Sequence, residues 1–248
     1  LPATTLPNFI NTLPQDIVSH IGTSGFLARF RYSPSPVPTL NLVFGVELNG
    51  TVPACAVLVP NADGASGVAI GAIDRAIVSG ITGSLDFLGG ATPSSLQPNH
   101  GDTGTTATSL QFDGYLAAID YDRNTFTLQL AWLTFLGGVG TDNAVKVALD
   151  PEGNIFVAGT TVSGAGFLPM VSPQATPTGA LPEAFVCSVN SLGQGQLSGT
   201  YYGAPGSAIT VTDLALGENG DSSYLVGNTN GPTFLTGVSS NPLGVSED

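Results

Sequence analysis

Hydrophobic and polar positions alternate along this chain in short runs, and the same alternation returns three times. Its clearest form is "VKVALDPEGNIFVAGTT" (Val145–Thr161): an apolar alternating run, a polar turn with glycine, and a second alternating run closed by Gly-Thr-Thr. It recurs as "VTDLALGENGDSSYLVGNT" (Val211–Thr229) and, in degenerate form, across Ala54–Thr82. The stretches ahead of each hairpin correspond as well. "GYLAAIDYD" (Gly114–Asp122) matches "EAFVCSVNS" (Glu183–Ser191) and "GFLARFRYS" (Gly25–Ser33). Period-two alternation bounded by turn residues predicts strands. A repeat of roughly 65–90 residues predicts an array of similar sheet units.

The middle unit predicts four strands: Gly114–Asp120, Thr127–Phe135, Ala144–Leu149 and Asn154–Thr161. The turn Asp150–Gly153 joins the last two, with Pro and Gly where a turn uses them. In the first unit, either "AVLVP" or "VAIGAID" supplies the inner strand, and Asn61–Gly64 ("NADG") reads as a turn. Long Pro/Thr/Gly loops follow the hairpins, and Phe9, Phe87, Phe167 and Phe234 are candidate anchors pinning them to the sheets. The division is an arm at 1–24 and repeats at 25–110, 111–182 and 183–248. Helical periodicity is confined to Asn8–Ile21, where Pro14 interrupts it.

The string of alternating apolar residues, Asp, turn, Gly-Asn, aromatic, Val and Ala-Gly-Thr-Thr, preceded by "FLGG" and followed by Phe-Leu-Pro, resembles the bacterial SBBP-type β-propeller repeats. The resemblance implies an all-β, propeller-like fold of about three four-stranded antiparallel blades. It also implies a secreted or cell-surface setting with structural or adhesive roles. Propellers typically have 4–8 blades, so three units raise a question of completeness. The strands begin near Gly25 with a unit's outer pair and end near Thr229 with an inner pair. Three explanations stand: a longer propeller to which this chain belongs, closure of the chain on itself, or completion by a neighbouring chain through exposed strand edges.

Composition narrows the partners. The net charge of −13 reflects only 5 basic residues against 18 acidic ones, so the cations needed to neutralise phosphates are lacking. Nucleic acid and anionic membrane surfaces are therefore not expected partners, and no apolar stretch reaches the length of a membrane span. A Ser-, Thr-, Asn- and Gly-rich surface, and an opening "LPATTLPNF" that lacks Met, fit a processed extracellular chain or an excised segment.

Candidate chemistry is sparse. Asp102-Thr103-Gly104-Thr105 matches the aspartic-protease string, but that mechanism needs two facing carboxylates and the chain has no second copy. His20 and His100 are the histidines; His100 near Asp102 is read as a solvated-loop residue, and no Gly-x-Ser-x-Gly elbow accompanies it. "DYDRN" (Asp120–Asn124) opens like a calcium loop but lacks its Gly and Glu, so weak Ca2+ binding in oxygen-rich turns is the limit of the metal expectation, and no cofactor is expected. Cys55 and Cys187 fall in predicted strands. A disulfide between them would close a loop of about 130 residues, worth about 4–5 kcal/mol, whereas buried free thiols are the commoner state. Asn49-Gly50-Thr51 fits the glycosylation sequon. The expectation is a non-enzymatic extracellular protein that assembles with itself into a filament or surface layer. The alternative is a glycan-binding adhesion module using aromatics such as Trp132, Tyr201 or Tyr202.

Overall fold

The computed structural model describes residues 22–34, 36–50, 61–72, 74–101, 111–163, 176 and 182–231. Their strands are β1 (Gly22–Thr23), β2 (Gly25–Ser33), β3 (Thr39–Leu48), β4 (Asn61–Ile70), β5 (Arg75–Thr82), β6 (Asp113–Asp122), β7 (Thr127–Leu136), β8 (Asp142–Leu149), β9 (Ile155–Thr161), β10 (Glu183–Val189), β11 (Gln196–Tyr202), β12 (Ile209–Leu216) and β13 (Ser223–Thr229). Two complete four-stranded antiparallel meanders run β4-β5-β6-β7 and β8-β9-β10-β11. The two-residue β1 adds to the β4 edge in parallel. The hairpins β2-β3 and β12-β13 stand as separate two-stranded sheets. By position in the repeat, β2-β3 corresponds to the outer pair of a blade and β12-β13 to the inner pair of another.

Both faces of the central strands β6 and β10 are buried and largely apolar, and their successive residues go to different cores. From β6, Tyr115, Ala117, Ile119 and Tyr121 point to a first core shared with Leu27, Phe44 and Val46 of β2-β3. Leu116 and Ala118 point the other way, into a second core with Phe185, Cys187 and Val189 of β10. Ala184 of β10 joins Ile209, Val211 and Leu214 of β12 in a third, with Val186 packed at its margin. Period-two alternation therefore does not separate core from solvent here. It separates one inter-blade core from the next.

One pairing recurs inside the blades. Gly80 of β5 lies opposite Tyr115 of β6, and Gly159 of β9 lies opposite Phe185 of β10. The glycine leaves room for the aromatic ring, since a Cβ at either position would stand 2.8 Å from it. A Cβ would also run into the backbone carbonyl of Gly64 or Asn143. Each ring is fully buried, a burial worth about 1.5–3 kcal/mol.

The four strands read as the middle unit all form, but β6-β7 and β8-β9 belong to two different sheets. Each blade takes its inner pair from one sequence unit and its outer pair from the next. In the first unit, the run Asn61–Gly64 read as a turn is instead the start of β4. It pairs with β5 through Asp63↔Thr82 as β8 pairs with β9 through Asp142↔Thr161. The competing "AVLVP" lies outside the described residues.

Gly159→Ala is expected to lower stability by about 1–3 kcal/mol or more, because the added methyl meets carbonyl and ring together. Gly45→Ala, where a Cβ meets nothing within 4 Å, is expected to be neutral. Urea midpoints of the two variants provide the comparison, and equal midpoints would remove the glycine–aromatic pair from the account of the blade.

Candidate functional site

Two buried carboxylates occupy equivalent places at the start of the blades. Asp63 Oδ1 accepts hydrogen bonds from Thr82 Oγ1 (2.7 Å) and Gly83 N (3.2 Å), and its Oδ2 from Gly50 N (2.9 Å) and Ser84 Oγ (3.0 Å). Asp142 Oδ2 accepts from Ser163 Oγ (2.6 Å) and Gly138 N (2.9 Å). Gly50 follows β3 and Gly138 follows β7, so each carboxylate grips the chain arriving from the previous sheet. It also grips the turn after the second strand of its own. Burial raises both carboxyls above the ordinary 3.8, opposed by these hydrogen bonds. In the β12-β13 hairpin the corresponding pair is Ile209↔Thr229, and the carboxylate is missing.

A further buried carboxylate, Asp113, accepts from Gly101 N at 2.6 Å. His100 Nδ1 lies 3.6 Å from it, and His100 Nε2 is 3.2 Å from the Thr82 carbonyl. The histidine read as solvated is thus 3 % exposed, with its ring edge against Phe135. The loop carrying it folds over the end of β7, and that removes it from water. The structure joins His100 to Asp113, a partner that sequence spacing did not suggest. Asp102 and His20 lie outside the described residues.

Other candidates find structural places. Cys187 is a buried thiol in the second core, pushed up to about 12 by burial; Cys55 lies outside the described residues. Asn49 is 5 % exposed, a buried position rather than the open turn a glycan requires; Thr51 is outside the described residues. Asp120 is held by Arg75 at 2.7 Å, and Asp122 Oδ1 accepts from the Asn124 and Thr125 amides of its own turn. Arg123 and Arg29 both engage Asp74, Arg29 at 3.0 Å. Among the described residues no group of three or more His, Cys, Asp or Glu side chains forms a metal site. Phe87 is fully buried with its ring 4.4 Å from Tyr115, as an anchor would be. Phe9, Phe167 and Phe234 are outside the described residues. Trp132 and Tyr201 are core residues, and Tyr202 is partly exposed.

The surface feature that stands out is at the two hairpin ends. Phe26, Phe30, Tyr32, Leu40 and Leu42 are exposed on one face of β2-β3, the face turned away from the first core. Val68 and Ile70 of β4 are exposed beside it, and Tyr224 and Val226 are exposed on β13. Among the described residues β13 pairs only with β12, and β2 only with β3. A cleft of about 530 Å³ opens between β12-β13 and the far face of β10-β11, lined by Ala184, Val186, Tyr202, Leu225 and Gly227 among others. It lies where the outer pair of a third blade would stand.

Stacked four-stranded meanders with inner and outer pairs are the blades of a propeller-type protein. Residues 131–164, from the middle of β7 to just beyond β9, match the SBBP family model, a beta-propeller repeat. The chain therefore carries an SBBP-type repeat at its centre. A search of curated proteins finds no match to the chain.

Asp142 supplies a pH test with a definite sign. Its carboxyl holds a proton more tightly in the folded chain than in the unfolded one. Its contribution is therefore greatest below about 3.8 and falls as pH rises through the raised pKa. Asp142→Asn cannot ionise, so across that window the variant is expected to gain stability relative to the parent, the difference levelling off above it. Urea midpoints from pH 3.5 to 7 measure this, and a difference that stays constant with pH refutes the burial-raised carboxyl.

Proposed function

We propose that this chain is a non-enzymatic extracellular structural module that joins copies of itself through its two hairpin ends. The observation carrying this reading is that both ends are partial blades of opposite kind. Among the described residues, one end offers an outer pair with an exposed apolar face, and the other an inner pair whose outer strand edge has no partner. An outer pair, two blades and an inner pair are present among these residues, so each end carries half a blade that the other kind of end can complete. A closing rotation between copies gives a ring, and a non-closing one gives a filament or layer. The extracellular assignment rests on the scarcity of Lys and Glu, the abundance of Ser, Thr and Gly, and the SBBP-type repeat. The non-enzymatic assignment is supported by the sealing of His100 and Asp113 from solvent, which leaves that pair no route to a substrate proton.

A second reading, a glycan-binding adhesion module, is favoured by one observation. Phe26, Phe30 and Tyr32 form an exposed aromatic face, and such faces serve carbohydrate stacking as well as protein packing. A soluble polysaccharide that binds the chain and loses affinity on Tyr32→Ala would support it.

The net charge of −13 opposes the approach of two copies, and salt screens that repulsion. Light scattering and electron microscopy are expected to show mass rising with protein concentration, more steeply at about 300 mM than at about 20 mM salt. A monomer whose mass is independent of concentration at both ionic strengths overturns the assembly reading.

A further inference from the structure

The two ends match each other residue by residue. β13 aligns with β5 and β9 through the shared Gly-x-Thr ending, so Gly227 holds the place of Gly80 and Gly159. β2 aligns with β6 and β10, so Phe26 holds the place of Tyr115 and Phe185. In the complete blades the glycine and the aromatic face each other across adjacent strands, and the ring is fully buried. At the ends the pair is split. Gly227 lines the cleft beside β10-β11, and Phe26 is 74 % exposed on the opposite side of the chain's sheet stack.

Resting on the self-assembly reading above, we infer that β2 of a second copy adds antiparallel to the open edge of β13, with Phe26 opposite Gly227. The register follows from the internal pairs Thr82↔Asp113 and Thr161↔Glu183, which place Ser24 opposite Thr229. In this register the exposed face of β2-β3 turns toward β10-β11, and Phe26 enters the cleft beside Ala184 and Val186. It there extends the third core as Phe185 completes the second. The remaining exposed apolar positions fall into line. Val68 and Ile70 sit on the β4 face turned toward the blade that precedes it, since they pair with Val78 and Ala76 of the first core. Tyr224 and Val226 sit on the β13 face turned toward the blade that follows. Joining the copies brings these two faces together.

The occupant is a second copy and not the chain's own β2-β3. That hairpin is held on its own first blade by the first core and by Arg29–Asp74. In the same chain the exposed Phe26 and the cleft at Gly227 stand on opposite sides of the sheet stack. The strand addition uses main-chain hydrogen bonds for affinity and the aromatic pocket for register.

The test uses the full chain with two single variants, Ser24→Cys and Thr229→Cys, in a Cys55→Ser/Cys187→Ala background, mixed under mild oxidation. A covalent dimer whose mass-mapped bond joins positions 24 and 229 is expected. A parallel measurement uses Phe26→Ser, exposed enough to leave folding intact, which is expected to raise the half-assembly concentration about tenfold or more. Phe26→Tyr is expected to restore it, since Tyr115 fills the same place. Assembly that persists with no 24–229 bond and no response to Phe26→Ser overturns this register while leaving self-assembly standing. A chain that stays monomeric at all concentrations overturns both. A double variant, Ser24→Cys/Thr229→Cys in the same background, that forms the 24–229 bond within one chain while the mixed single variants form none overturns the second-copy assignment.

Discussion

Everything in this fold follows from sheets whose central strands, β6 and β10, are apolar on both faces. A sheet with one wet face can end a domain, because its polar side meets water. A blade whose alternate residues feed two different cores cannot, since each core needs a neighbour to supply its other half. Stacking is therefore obligatory, and the first and last members of the stack each keep one face that no described residue covers. Phe30 and Leu42 at one end, with Tyr224 and Val226 at the other, are the residue of that arithmetic.

The buried carboxylates serve a different need. A meander leaves one blade at its outer edge and must return to the inner edge of the next, and the amides of Gly50 and Gly138, at which that crossing begins, lie outside the ladders. Asp63 and Asp142 accept from those amides at Gly50 and Gly138 and from the hydroxyls past the second strand. Burying a charge-bearing group costs free energy, which the raised carboxyl pKa reports. The compensation is that each blade's position against the previous one is fixed by several hydrogen bonds to one side chain. The third hairpin lacks the carboxylate, and Ala208 N instead donates to Asn230 Oδ1 at 2.8 Å.

Much of this was legible in the residues, for physical reasons that also explain what was not. Strands such as β8-β9 and β12-β13 announce themselves by alternation and by turns whose geometry needs Gly153 and Gly220, both at positive φ. β4 did not, because Asn61–Gly64 has turn composition and only tertiary pairing holds it extended. The equivalence of Asp63 and Asp142 was available: each has a serine 21 residues on that hydrogen bonds back to it. Membership of strands in sheets was hidden, because a repeat period states what recurs and not which neighbours pair. The burial of His100 was hidden too, since it depends on where a loop lands and not on local sequence. The SBBP-type resemblance pointed to the blades and was silent on the stagger between unit and sheet.

That stagger has a mechanical consequence. Each blade is itself one contiguous stretch of chain, β4 to β7 or β8 to β11, so the stagger lies in where the repeat begins, and among the described residues no backbone ladder runs from one blade to the next. What ties the two blades is the apolar second core, together with the Asp142 carboxylate holding Gly138 and Ser163. A pull applied across the β7–β8 link therefore bears on side-chain packing and these few hydrogen bonds, while the ladders stay within the sheets on either side of it.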